Sequence, residues 1–335
     1  MGTEISPLPT VAITMGDAAG IGPEITLKAL SNPDNRAACR CIIIGDLTHL
    51  RRLASILDLP VILSPFGEAD DESVAVVDLK NLPAEFEIGV DAAATGKASA
   101  EYIEAAVDLW RRGEIDGICT APISKKAIAL GGYDFPGHTE FLAALTATER
   151  FAMSFFGGEL RVVLLSTHLP LRESIDLVKT ERLADLIRFS HTELGGLLNK
   201  KVALAVAGLN PHASEGGLFG SEEHDEIVPA IDECRADGID VSGPFSPDTI
   251  FLRASRGEFD GVIALYHDQA TIAVKSLAFG EAVNVTLGLP LVRTSVDHGT
   301  AYDIAGKGVA DPSSMAAAIR LAADLAKYSR QIAQI

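Results

Sequence analysis

Asp260–Gly308 reads DGVIALYHDQATIAVKSLAFGEAVNVTLGLPLVRTSVDHGTAYDIAGKG, and the fold is decided here. The stretch opens as a buried strand, Val262 to Tyr266, and stops at the polar cluster Tyr266-His267-Asp268-Gln269. A short apolar segment carrying Lys275 follows, then a second strand-like run, Ala282 to Leu287, with Asn284 inside it. Arg293 comes next, and a Gly-rich polar turn, Asp297-His298-Gly299-Thr300, leads into a helix. Strands that stop at polar clusters are where open α/β sheets place their ligands.

Working outward, the same pattern recurs. Val11–Met15, Cys41–Gly45, Val74–Val77, Ile115–Thr120, Leu160–Ser166 and Val202–Ala207 are short apolar runs, and helical periodicity fills the intervals, as over Thr95–Arg112. Alternation of this kind predicts an α/β fold with a mostly parallel sheet. Two runs end as the first one does: Leu160–Ser166 at Thr167-His168, and Val202–Ala207 at Asn210-Pro211-His212. A lone histidine in such a place is ordinarily a hydrogen-bonded loop residue. Three of them are a candidate metal site, because parallel strands put their C-terminal ends on one edge of the sheet. Three neutral imidazoles with an open position make a catalytic zinc-type site. His49, His191 and His224 fall on helices and read as ordinary residues.

Other polar clusters keep two readings. Gly16-Asp17-Ala18-Ala19-Gly20-Ile21-Gly22-Pro23 has the strand–turn–helix shape of a phosphate loop, but its glycines do not fit G-x-G-x-x-G and no Walker lysine is present. It reads equally as a tight connection. His138 and Thr139 stand before a helix starting near Phe141, as anion donors or as a plain N-cap. Asp248, in Ser246-Pro247-Asp248-Thr249, is a helix cap or an acidic partner for a substrate ammonium.

Bulk properties exclude some functions. A chain of 335 residues is long enough for two domains. Its formal net charge of -18 argues against a nucleic-acid surface, and an anionic substrate must be met by a few local cations. No secretory leader is visible, and the apolar C-terminal segment Met315–Ile335 is interrupted by Arg320, Asp324, Lys327 and Arg330, which suits a surface helix and not a bilayer. The four cysteines lack metal-type spacing and read as reduced thiols of a cytoplasmic protein.

MGDAAGIGPEI, PGHTEFLA, THLPLR, LNPHASEGGLFG, YHDQ, VNVTLGLPLVRTSVDHGTA and DIAGKG together resemble the 4-hydroxythreonine-4-phosphate dehydrogenase family of pyridoxal phosphate synthesis, over Met15 to Gly308. The wider resemblance is to isocitrate and isopropylmalate dehydrogenases. It implies two α/β domains with a cleft between them, approximately residues 1–129 plus 271–335 on the cofactor side and 130–270 for metal, substrate and dimerisation. It implies a homodimer with the active site shared at the interface, and a divalent metal held by His168, His212 and His267, the third from the partner subunit. Substrate contacts map to His138, Thr139, Lys275, Asn284 and Arg293, and an NAD or NADP cofactor to His298, Gly299, Thr300, Ala301, Asp303 and Ile304. The chain departs from the family in having Ala18 or Ala19 where a proline is usual, Ala270 for a common glycine, and Ser214 where many members have glycine.

The implied reaction oxidises 4-phosphohydroxy-L-threonine to 2-amino-3-oxo-4-phosphobutanoate, which decarboxylates to 3-amino-2-oxopropyl phosphate. The same chemistry on 4-phospho-D-threonate or 4-phospho-D-erythronate is the alternative, and a non-catalytic metal- or metabolite-binding protein is the reading from another class. Histidine ligands favour zinc or cobalt over magnesium. Lys275, partly desolvated beside a cation, reads as general base or as a plain anion-binding cation, and Arg293 as a two-pronged grip on phosphate or carboxylate. Asp303 and Asp311 would repel a 2′-phosphate and tilt the choice towards NAD.

Overall fold

A computed structural model describes residues 8–278 and 280–332, the last five of these by backbone only. Its strands are β1 Thr10–Thr14, β2 Arg40–Gly45, β3 Ile62–Pro65, β4 Ser73–Asp78, β5 Gly117–Thr120, β6 Ala152–Gly157, β7 Leu160–Leu164, β8 Leu204–Ala207, β9 Val241–Phe245, β10 Gly261–Ala264, β11 Val283–Leu287 and β12 Val292–Ser295. The chain divides into two compact units, Met1–Glu149 with Leu289–Ile335, and Arg150–Gly288. The α/β class expected from the alternating runs is what the structure has.

The first unit orders its strands β3-β4-β2-β1-β5-β12. All its pairings are parallel: Val11 stands beside Cys41 on one side and Gly117 on the other, and Val292 beside Gly117. Strands covered on both faces need continuous apolar runs, and Val11, Ala12, Ile13, Ile43 and Ile44 are fully buried. Helix Ala93–Arg111 turns Ala98, Tyr102, Ala106 and Leu109 inward, the stripe its periodicity predicts. Gly96 lets this helix touch helix Lys125–Leu130; a Cβ there would lie 1.9 Å from the Ala127 carbonyl oxygen. The C-terminal helix starts at Ser313, and its expected end at Ile335 lies outside the described residues. Among the described residues no helix is long and apolar enough to cross a membrane.

The second unit orders its strands β11-β6-β7-β10-β8-β9. β7, β10, β8 and β9 run parallel, whereas β6 is antiparallel to both β7 and β11. Val162, Val262, Ala264 and Ala205 form its core with Ile250, Phe251 and Val274.

The unit boundaries fall near 150 and 288, not near 130 and 270. Helix His138–Leu145 belongs to the first unit because Phe141 packs against Phe135 and Tyr133, with centroids at 4.3 and 5.5 Å. Helix His267–Leu277 and β11 belong to the second, so Lys275 and Asn284 share a unit with the three histidines.

Candidate metal and substrate site

Adjacent parallel strands β7, β10 and β8 end together, as the sequence pattern required. Past those ends stand Thr167-His168, Tyr266-His267 and Asn210-Pro211-His212. Gln269 ties two of the ends: its side-chain oxygen accepts from the Leu265 amide at 2.7 Å, and its Nε2 donates to the Gly208 carbonyl at 2.8 Å. Ser166 adds a bond from its hydroxyl to the Leu265 carbonyl, 2.9 Å. These are bonds within the sheet edge, so Gln269 serves as scaffold beside a candidate ligand and not as a ligand itself.

His168 and His267 come together, with ring centroids 5.6 Å apart and planes tilted by 43°. Nδ1 of His267 lies 2.7 Å from the Asp268 carboxylate, and Nδ1 of His212 lies 2.6 Å from Glu215. A carboxylate accepts only, so each imidazole carries its proton on Nδ1 and leaves Nε2 as the donor for a metal. Glu215 also raises the His212 pKa above its ordinary value, by hydrogen bonding first and charge second. Among the described residues no three metal-ligating side chains are gathered in one chain. His212 therefore does not complete the pair.

His212 sits on an unusual backbone. His212, Ala213, Ser214 and Glu215 have φ of 54, 52, 63 and 45°, and Gly216 and Gly217 follow at 71 and 97°. Left-handed conformation in a residue with a Cβ costs roughly 1–2 kcal/mol and persists only where neighbours enforce it. The glycine usual at position 214 is thus absent from a position with φ 63°. Ala270, by contrast, lies inside helix His267–Leu277, where alanine is the better residue.

The remaining second-unit residues are less enclosed. Lys275 is exposed in the last turn of its helix, so this chain alone does not give it the partly desolvated setting expected. Asn284 is half-buried on β11. Asp248 accepts a hydrogen bond from the Ser246 hydroxyl at 2.5 Å; it does not occupy the cap position, which is Thr249. Its charge acts on His212.

In the first unit, Arg293 lies on β12 with 3 % exposure, and its guanidinium donates to the Thr120 hydroxyl at 2.9 Å. Burial pushes its pKa down to about 10, against the opposing charge of Glu140. His138 opens helix His138–Leu145, and Thr139 is the next residue in. Burial first, and the Arg293 charge second, hold His138 well below the usual imidazole range. Two expected anion-binding groups therefore meet, one permanently charged and one neutral.

The candidate cofactor turn follows β12. The Thr300 carbonyl accepts from the Ile21 amide at 3.0 Å, Ala301 has φ 43°, and the Tyr302 hydroxyl donates to the buried Asp17 at 2.7 Å. The glycine loop after β1 is what holds this turn. Its own amides are consumed internally: Asp17 donates to the Pro122 carbonyl, Ala19 to the Asp17 carboxylate and Gly20 to the Asp17 carbonyl. Gly16 has φ 71°, and a Cβ there would lie 2.3 Å from the Pro122 oxygen. Of the two readings this loop allowed, the structure has the tight connection. Asp17 and Tyr302 carried no sequence signal of partnership, being 285 residues apart.

Residues 37–322 match the family described as pyridoxal phosphate biosynthetic protein PdxA. The chain belongs to this family. D-threonate 4-phosphate dehydrogenase of Cupriavidus necator is 46% identical over 326 residues, covering 95% of this chain and 98% of that one. 4-Hydroxythreonine-4-phosphate dehydrogenase of Desulforapulum autotrophicum is also 46% identical, over 322 residues, covering 94% and 95%. The crystal structure of 4-hydroxythreonine-4-phosphate dehydrogenase from Klebsiella pneumoniae superposes with a TM-score of 0.86 at 39% identity, covering 95% and 99%. The PdxA fold thus extends over nearly all of this chain.

Proposed function

We propose that this PdxA-family chain is a dehydrogenase that oxidises the secondary alcohol of a small phosphorylated hydroxy acid with NAD or NADP and a divalent metal. The observation that carries the reading is the histidine pair: two imidazoles 5.6 Å apart at the ends of adjacent parallel strands, with a carboxylate on His267 Nδ1. Neutral nitrogen donors suit zinc or cobalt. The resemblance takes His267 from the partner subunit; the closeness of His168 and His267 within one chain favours instead that these two hold the ion together, with His212 of the partner subunit as third ligand in a homodimer.

When bound, the metal supplies a Lewis acid that lowers the alcohol's pKa, and the nicotinamide accepts the hydride. This chain's own groups bind and orient. Arg293 on its strand offers two parallel donors to a phosphate or carboxylate. Thr139 adds a hydroxyl donor without charge, and His138, neutral with its N–H on the Ala121 backbone, presents its other ring nitrogen as an acceptor for a substrate hydroxyl. Asn284 completes the set. Lys275 either takes the hydroxyl proton or serves as a second cation. Ala301 and Tyr302 shape the cofactor turn with His298, Gly299, Thr300, Asp303 and Ile304, and the exposed Asp303 disfavours a 2′-phosphate.

The finer reading is 4-phosphohydroxy-L-threonine, in pyridoxine 5′-phosphate synthesis. It is supported by the family description and by Asp248, an exposed carboxylate close enough to act on His212 and suited to an ammonium. A second reading, 4-phospho-D-threonate, is supported by the equal identity of the Cupriavidus necator relative. The test is NADH formation on both compounds and on 4-phospho-D-erythronate, with zinc and after chelation. Metal-dependent turnover with the highest kcat/KM on the first supports the finer reading, and preference for another moves the substrate. No turnover of any rejects the enzyme and leaves a binding protein.

A further inference from the structure

His212 is carried on a run of six residues, 212–217, that all have positive φ, four of them with a Cβ. L-residues visit that region singly, so something must hold the run. Two carboxylates brace its entry and its first residue. Glu223, only 3 % exposed, sits at the foot of the turn: one oxygen accepts from the amides of both Leu209 and Asn210 at 2.7 Å, and the other from Asn210 Nδ2 at 2.8 Å. The loop thus leaves β8 in a fixed direction. Ser214, buried at the head of the turn, accepts at its carbonyl from Gly217, Leu218 and Phe219 and closes it. The second carboxylate, Glu215, is on the turn itself and holds His212 Nδ1 at 2.6 Å. The pair lies on the outer side, His212 58% and Glu215 48% exposed.

We infer that Glu223 and Glu215 are positioning residues for metal binding: Glu223 fixes the chain leading into the left-handed turn that carries His212, and Glu215 holds Nδ1 of its ring, which leaves Nε2 for the ion. The inference rests on the proposed metal dependence and adds that His212 is prepared before the ion arrives. Pre-orientation of this kind is worth about 10- to 100-fold in metal affinity.

The experiment measures zinc affinity of the full-length protein by chelator competition, with thermal unfolding of the metal-free form alongside. Glu215→Ala is expected to weaken zinc binding about 10- to 100-fold and leave the metal-free melting temperature unchanged. Glu215→Gln, whose side-chain oxygen still accepts from Nδ1, should recover most of the affinity. Glu223→Gln, which sets an amide against Asn210, should weaken zinc binding as well. Wild-type affinity in Glu215→Ala overturns the inference, and so does a loss accompanied by a fall in the metal-free melting temperature, which marks a structural role only. If the wild-type protein binds no zinc, or His212→Ala binds it as tightly, the metal reading itself fails, and this inference with it.

Discussion

Replacing Lys28 with methionine should cost this fold several kcal/mol through a charge that the substitution does not touch. Lys28 Nζ donates to Glu24 at 2.8 Å, to the Gly308 carbonyl at 2.9 Å and to the Ala310 carbonyl at 2.8 Å. Glu24 is 2% exposed; one of its oxygens also accepts from the Ala310 amide at 2.8 Å, and the other is closed to solvent without a hydrogen bond. Removing the ammonium leaves a buried carboxylate with one amide for company, a loss of about 3–5 kcal/mol. At roughly 2–4 °C per kcal/mol, the melting temperature should fall by roughly 6–20 °C. Removing both charges in Glu24→Leu/Lys28→Met leaves only backbone groups unpaired, about 1 kcal/mol for each, so the double variant should be more stable than Lys28→Met. Urea unfolding of the four proteins closes the cycle. A single variant within about 1 kcal/mol of wild type, or effects that add to within about 0.5 kcal/mol, would refute the reasoning. Because the pair fastens the segment that follows the candidate cofactor turn, Lys28→Met should also raise KM for the cofactor.

Mixing inactive His168→Ala with inactive His212→Ala protein should restore activity, since a hybrid dimer then carries one site with His168 and His267 from one chain and His212 from the other. Mixing His168→Ala with His267→Ala should not, because that pair lies 5.6 Å apart in one chain; the opposite pattern, with verified subunit exchange, rejects the assignment. Arg293→Lys exchanges a fork for a point charge, a loss of about 1.5–3 kcal/mol, and should raise substrate KM about 10- to 100-fold with little change in kcat; an unchanged KM excludes the anion grip. His138 is held well below the ordinary imidazole value of about 6.5 in the folded state, so the unfolded chain binds more protons beneath that pH. The stability His138 contributes is therefore complete above about 6.5 and is lost as pH falls towards the folded value, by at most about 1.4 kcal/mol per pH unit. His138→Gln should flatten that part of the stability profile, and an identical slope in the variant disproves the burial account.

The strands legible in the sequence were those with a buried apolar run: β1, β2, β4, β5, β7, β8, β10 and β11. The four that were missed have mixed compositions for identifiable reasons. β3 exposes Ile62 and ends in Pro65, β6 pairs antiparallel, and β9 contains Gly243-Pro244. β12 buries an arginine, which reads as a ligand and not as a strand residue. At the site, histidines at strand ends were legible because strand direction alone brings them to one edge. The left-handed turn was not. Ala213, Ser214 and Glu215 have no preference for positive φ, and Glu223, which holds the residues leading into the turn, looks like one more polar residue on a packing helix. The Asp17–Tyr302 bond and the bonds from Lys28 and Glu24 to Gly308 and Ala310 were hidden for another reason: they join residues 280 or more apart, and periodicity reports only neighbours.

The discontinuous first unit also sets an order of birth. A nascent chain released at Gly288 already holds every strand of the second unit, whereas the first still lacks β12 and the carbonyls that Lys28 needs. Until β12 leaves the ribosome, β5 has a bare hydrogen-bonding edge of buried residues, the kind of edge on which chains aggregate. Termination between Gly288 and Val292, before β12 is made, should therefore yield insoluble protein and not a shortened enzyme.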